Sequence, residues 1–393
     1  MAGIYIHIPF CRSRCIYCGF YSTTSLELRQ LYVDSLCREV EMRGMFREGG
    51  VTKTIYLGGG TPSLLTQPQL HLLFEAIYKY NKVAEDAEVT IEVNPDDVTA
   101  ELAEGLRLLP VNRVSMGVQT FDEARLRFLH RRHTAAQATA AIERLRDAGI
   151  RNISIDLMYG FPGETLDDWE RDIDAALRLG AEHLSAYCLT VEEGTPLHRM
   201  HTKPLDEETE RAMYYHLIDR LEASGYEHYE ISNFAKIIPT PSPTGAAQNI
   251  QNPSPTGADR GGHSFRSRHN SSYWNATPYV GIGASAHSYE GRTRSWNVAD
   301  LCQYIEGMKR GERIFDFETL DDDTRYDDLV ATALRTREGL DLTMLTEKHR
   351  DYCIRTARRF VSDGLLRISE THMALTRRGL FVSDMIMSEL MYV

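Results

Sequence analysis

Six short apolar, β-rich runs separated by helix-period segments constrain this chain more than any other feature. They are GIYIHI (Gly3 to Ile8), KTIYLGG (Lys53 to Gly59), EVTIEV (Glu88 to Val93), RVSMGVQ (Arg113 to Gln119), NISIDLMYG (Asn152 to Gly160) and HLSAYCLTV (His183 to Val191). Amphipathic stretches such as residues 26–47, 67–80 and 135–147 lie between them. Each strand is therefore followed by a helical crossover, and such crossovers are right-handed and leave neighbouring strands parallel. The punctuation agrees: Thr134 with Gln137 and Thr165 with Asp168 read as capping boxes, and Gly149 and Gly180 as helix stops. Six βα units are too few for a closed eight-stranded barrel. The periodicity thus predicts an α/β fold that is either an open barrel or a doubly wound sheet. With 393 residues, 42% of them hydrophobic, the chain can build this domain and a smaller one.

In both architectures ligands gather at the carboxyl ends of the strands. There the sequence places Cys11, Cys15 and Cys18 after the first run, GGGTP (Gly58 to Pro62) after the second, Glu92 at the end of the third, Gln119 of the fourth and Asp156 in the fifth. Together these predict a ring of polar groups around one site. The three cysteines, in HIPFCRSRCIYCGFYS, can hold three corners of a [4Fe-4S] cluster and leave the fourth iron an open coordination position. The residues alone also admit a zinc site with a distant fourth ligand such as His7, or buried thiols. Cys37, Cys188, Cys302 and Cys353 are scattered and read as packing residues.

The C-x3-C-x2-C spacing, with Tyr17 just before the last cysteine, resembles the signature of radical S-adenosylmethionine (SAM) proteins. The resemblance implies an open (β/α)6 barrel whose cluster binds the amino and carboxylate groups of SAM. It also implies that Gly59, Gly60 and Thr61 touch the methionine end of SAM. Glu92, Gln119, Arg131 and Asp156 would contact the rest, and Tyr5 and Tyr17 would flank the cluster and the adenine.

Composition changes at Ile237, where a Pro, Gly, Ser and Thr mixture carries PSPTGA twice and predicts a flexible excursion. Beyond it, His269, Asn270, Tyr273 and Trp274 form H-N-x-x-Y-W. On the residues alone this reads as a packed aromatic corner. It also resembles the heme-associated motif of the HemW heme-chaperone family, relatives of oxygen-independent coproporphyrinogen III oxidase, and so implies a heme ligated by His269. The last segment resembles a small winged-helix-like domain. The expected segmentation is a barrel at 1–235, an insertion at 236–266, the H-N-x-x-Y-W segment and a connection at 267–319, and the C-terminal domain at 320–393.

The resemblance allows two functions. One is a heme chaperone that uses a [4Fe-4S] cluster and SAM and delivers heme to respiratory proteins. The other is a coproporphyrinogen III dehydrogenase acting by radical decarboxylation, so whether the chain is an enzyme stays open at this stage. The dehydrogenase motif has a further cysteine where this chain has Phe20, and an N-terminal extension where this chain starts almost at its first strand; both differences favour the chaperone. A net charge of -12 argues against nucleic acid as a partner. No apolar run approaches the roughly 20 residues of a membrane helix. Irregular cysteine usage and the lack of a leader point to the cytoplasm, with membrane contact peripheral. A homodimer follows from the resemblance alone.

Overall fold

The computed structural model describes residues 2–44, 50–237 and 264–392. Most of the expected insertion, residues 238–263, and the end of the expected 26–47 helix lie outside the described residues. The chain forms two compact units, Met1–Met213 with Thr277–Thr319, and Tyr214–Ala276 with Leu320–Val393. This division and the sequence-based boundaries cut the chain differently, since strands within 267–319 join the first unit and the H-N-x-x-Y-W helix joins the second.

In the first unit β1 (Ala2–Ile8), β2 (Thr52–Gly59), β3 (Val83–Val93), β4 (Arg113–Gln119), β5 (Asn152–Tyr159) and β6 (His183–Cys188) pair in chain order and all in parallel. These are the six βα units that the sequence predicts, in an open parallel sheet. Between the strands run α1 (Arg29–Gly44), α2 (Gln67–Tyr80), α3 (Ala100–Arg107), α4 (Glu123–Phe128), α5 (Ala135–Asp147) and α6 (Leu166–Leu179). Both capping boxes form, and Gly180 closes α6 at φ 65°.

The strands have two chemically different faces. Ile4, Ile6 and Ile8, Ile55 and Leu57, Val89 and Ile91, Val114 and Met116, and Ile153 and Ile155 are all buried. This face meets the helices, whose apolar sides include Leu70, Leu73 and Ile77. The alternate positions carry Tyr5, Tyr56, Thr90, Glu92, Arg113, Ser115, Asp156 and His183. They bond to one another across the strands, as in Tyr56 to Glu92 at 2.8 Å and Ser154 with His183 at 2.7 Å. Parallel strands covered on both faces usually read as continuous apolar runs. The polar interior is the departure that makes room for a site.

The sheet continues beyond β1. Where a plain connection was expected, β7 (Tyr279–Ile282) pairs parallel with β1, and β8 (His287–Tyr289), β9 (Thr293–Asn297) and β10 (Phe315–Thr319) follow antiparallel. A buried carboxylate ties this extension to α1. Glu39 accepts from the Gly283 N–H at 2.8 Å, Asn297 Nδ2 at 2.9 Å and Tyr304 OH at 2.7 Å, with Arg43 at 3.4 Å and Arg313 at 3.6 Å.

The second unit holds the helix Arg268–Trp274 and, from Leu320 onward, a winged-helix-like arrangement: helices Asp322–Ala333 and Glu347–Ser362 with a three-stranded antiparallel sheet over residues 340–375. Val330, Leu340, Cys353, Phe360, Met373 and Ile386 form its core.

Candidate functional site

The loop after β1 is shaped by apolar packing at one residue. Ile16 is buried with Leu129, Phe161 and Leu197, its N–H donates to the Leu129 carbonyl at 3.4 Å and its carbonyl accepts from Leu197 N at 2.9 Å. Cys15 and Tyr17 flank this anchor. Cys11 is fixed by its N–H donating to the Thr23 carbonyl at 2.9 Å, and Cys18 by its N–H donating to the Cys15 carbonyl at 3.3 Å. All three thiols are free and partly exposed. Burial, followed by neighbouring cysteines and opposed by hydrogen bonds, raises the pKa values of Cys11 and Cys18. A bound metal would reverse that by taking the thiolate.

A chain of hydrogen bonds joins two of the cysteines through the neighbouring strand ends. Thr61 Oγ1 lies 3.8 Å from Cys11 Sγ, Asn94 Nδ2 donates to Thr61 Oγ1 at 3.1 Å, Arg131 Nη2 donates to Asn94 Oδ1 at 2.7 Å, and Arg131 Nη1 reaches Cys15 Sγ at 3.5 Å. The loops after β1, β2 and β3 and the segment after α4 are thereby connected. Sequence reasoning singled out Thr61 and Arg131 but missed Asn94, two residues beyond Glu92 in IEVNPD. No local pattern marks an amide as the bridge between them.

The glycines do steric work. A Cβ on Gly59, which sits at φ 112°, would lie 2.5 Å from the His7 ring, and one on Gly60 would lie 2.8 to 2.9 Å from the backbone of Ile8, Pro9 and Phe10. The β2 loop can therefore press against the root of the cysteine loop, with the Gly60 N–H donating to the Ile8 carbonyl at 2.8 Å. His7 in turn holds the Tyr21 carbonyl at 3.0 Å and accepts or donates to Tyr5 OH at 3.0 Å. Burial lowers its pKa to about 4. His7 thus acts as a neutral spacer here, committed to Tyr5 and Tyr21.

Below the loops, Glu92 accepts from Tyr56 OH at 2.8 Å and from the Gly59 N–H at 3.0 Å. Burial, reinforced by Asp156, pushes its pKa up to about 7 against those hydrogen bonds. Burial likewise pushes Asp156 up to about 6, opposed by Ser185 and Arg113. Gln119 ends β4 at φ 70°. That turn is held by Asp172, which accepts from Thr120 Oγ1 at 2.6 Å and from the Phe121 N–H at 2.9 Å. The turn after β5 is held in the same manner by Glu164, which accepts from Gly160 N at 2.7 Å and Phe161 N at 3.0 Å. Burial raises the phenol pKa values of Tyr5 and Tyr17.

The expected barrel residues are therefore brought to one end of the first unit, with Arg131 tying Tyr17's neighbour Cys15 to the carbonyl of Gly117 at 2.6 Å. Among the described residues no three His, Cys, Asp or Glu side chains form a ready-made cage for one metal ion. The donor chemistry nevertheless fits a cluster: three free thiols on one loop, with a hydroxyl and a guanidinium aimed at two of the sulfurs.

The H-N-x-x-Y-W residues lie in the second unit. Ser267 caps their helix, His269 is 0% exposed, and its Nε2 is 2.8 Å from Tyr273 OH with the rings edge to face at 5.1 Å. Arg335 stacks 5.2 Å from the Trp274 ring. Asn270, Tyr273 and Trp274 are half-buried. In this arrangement iron could reach His269 Nε2 only after the bond to Tyr273 is broken.

Over residues 5–176 the chain matches the radical SAM superfamily, and over residues 320–382 the HemN C-terminal domain. The heme chaperone HemW of Mycobacterium tuberculosis is 33% identical, over 99% of this chain and 94% of its own length. That of Bacillus subtilis is 35% identical, over 96% of each. The solved structure of coproporphyrinogen III oxidase (HemN) from Escherichia coli superposes with a TM-score of 0.80 at 23% identity, covering 99% of this chain and 90% of that one. The last likeness is one of fold.

Proposed function

The chain belongs to the HemW heme-chaperone family of radical SAM proteins, and from that premise we infer that it binds heme and hands it on, using a [4Fe-4S] cluster and SAM. The carrying observation is the likeness to relatives named heme chaperones along nearly the whole of both chains. The dehydrogenase reading is weaker, because its structural relative shares the fold at 23% identity and the cysteine loop has exposed Phe20 where that enzyme family has a further cysteine.

When bound, the cluster and SAM supply an iron with an open position and a reducible sulfonium. In this reading Cys11, Cys15 and Cys18 hold the cluster as thiolates. Thr61 donates toward Cys11 and so favours its thiolate form, and Arg131 donates toward Cys15. Gly59, Gly60 and Thr61 touch the methionine end of SAM. Glu92 and Asp156 offer carboxylates to its polar groups, Gln119 and Arg131 complete the rim, and Tyr5 and Tyr17 border the adenine and the cluster. Asn270, Tyr273 and Trp274 contact heme from the second unit, with His269 available as a ligand once released from Tyr273. Respiratory heme proteins receive the cargo, the chain pairs as a homodimer, and it works in the cytoplasm. Among the described residues no helix is long and apolar enough to cross a membrane, and in this reading membrane contact is peripheral.

The test offers the cluster-loaded protein heme and coproporphyrinogen III separately, with SAM and a reductant. Stable heme binding without decarboxylation is expected. Turnover to protoporphyrinogen would replace the chaperone with the dehydrogenase.

A further inference from the structure

The inner face of the barrel does not end at β1. Strand register aligns Tyr56 with Tyr5 and Tyr5 with Gly281, then His287 with Trp296 and Trp296 with Asp316. A second row runs from Gly3 through Tyr279, Tyr289 and Arg294 to Glu318. Because side chains alternate across a strand, these residues share one face. The polar barrel lining therefore continues into an aromatic wall of Tyr279, Tyr289 and Trp296 that carries the His287 imidazole and the Arg294 guanidinium.

His287 has the properties that His269 lacks. It is exposed, and its ring lies along Trp296 with centroids 5.8 Å apart and planes inclined by 25°. Partial burial, and then Arg294, lower its pKa, so its ring is neutral and has a lone pair to donate at pH 7. It lies near enough to His7 to act on that residue's charge. His7 in turn holds the carbonyl of Tyr21 at the end of the cysteine loop. Gly281 makes this approach possible, because a Cβ there would fall 2.0 Å from the His287 carbonyl oxygen.

We propose that His287 is the axial ligand of the heme iron, in a site built on the barrel's own sheet. The proposal rests on the heme-chaperone reading and moves the iron from the second unit to the first. Trp296, stacked along the imidazole, limits the rotation of that ring. Tyr279 and Tyr289 supply apolar area to the macrocycle. Arg294, whose side chain is 36% exposed and paired with Glu318 at 2.8 Å, can share a propionate carboxylate. The step is coordination only: the neutral nitrogen gives its lone pair to iron and no proton leaves.

The experiment titrates the full chain anaerobically with ferric protoporphyrin IX and reads absorption and electron paramagnetic resonance. Wild type is expected to bind with an imidazole-ligated spectrum. His287→Ala should raise the Kd by about tenfold or more and lose that spectrum, with added free imidazole restoring it. Arg294→Gln should weaken binding of the porphyrin diacid but not of its dimethyl ester. An unchanged Kd and spectrum in His287→Ala, or loss of the imidazole spectrum in His269→Ala alone, overturns the assignment. Absence of heme binding by wild type overturns the chaperone reading itself.

Discussion

Glu92 sets ligand binding against stability, and replacing it with Gln exposes the conflict. Burial and then Asp156 raise its pKa from 4.5 to about 7, despite hydrogen bonds from Tyr56 and Gly59. The folded protein therefore holds this proton more tightly than the unfolded chain does. The resulting stability is fully present below about pH 4.5 and is lost as pH rises through about 7. An interval of that size corresponds to on the order of 3 kcal/mol, an upper bound because Asp156 titrates with it. Glu92→Gln keeps the shape and one oxygen acceptor while removing the charge. Urea denaturation of the cluster-free protein should show the variant more stable by about 1–3 kcal/mol at pH 8, with the difference vanishing near pH 5. SAM titration of the cluster-loaded protein should show the variant weaker by about tenfold, the worth of a hydrogen bond to a charged group. A variant less stable than wild type at pH 8, or one with unchanged SAM affinity, refutes this account of Glu92.

Replacing Cys11, Cys15 and Cys18 together by Ala should abolish iron–sulfur absorbance while circular dichroism stays native, since Ile16 and not the thiols anchors the loop; full retention of the absorbance would remove these residues from the site. Asn94→Ala should cut the link between Thr61 and Arg131, lowering cluster occupancy after reconstitution with little change in melting temperature; wild-type occupancy would show the link to be idle. Glu39→Ala removes the buried carboxylate that accepts from the Gly283 N–H, Asn297 and Tyr304 and faces the Arg43 and Arg313 guanidinium groups, and should cost about 3–5 kcal/mol in urea denaturation. A loss below about 1 kcal/mol, the scale of an exposed ion pair, would contradict the knot.

The barrel was legible because its signals are local. RVSMGVQ is found as β4 with the boundaries read from its pattern, and residues 67–80 and 135–147 form α2 and α5 as their periodicity requires. Thr134 and Thr165 announce their helices because a capping box needs only four consecutive residues. The strands β7 to β10 were missed, as three to five residues of mixed polarity such as TRSWN carry no periodic signal of their own. Glu39, which bonds Gly283 and Asn297 beside them, is distant in sequence and reads as one acid among many on an amphipathic helix. Asn94 and His287 escaped for the same reason: each is given its role by register and by partners on other strands. His269 illustrates the converse, since its motif stands out in sequence while its ring is buried against Tyr273.

The central claim is that Cys11, Cys15 and Cys18 hold a cluster with one iron open to SAM. Iron and sulfide analysis of the anaerobically reconstituted full chain, with electron paramagnetic resonance of the reduced state before and after SAM addition, tests it most directly. The account predicts about four irons per chain and a signal that changes when SAM is added. A single zinc per chain, or a cluster whose signal ignores SAM, would contradict it.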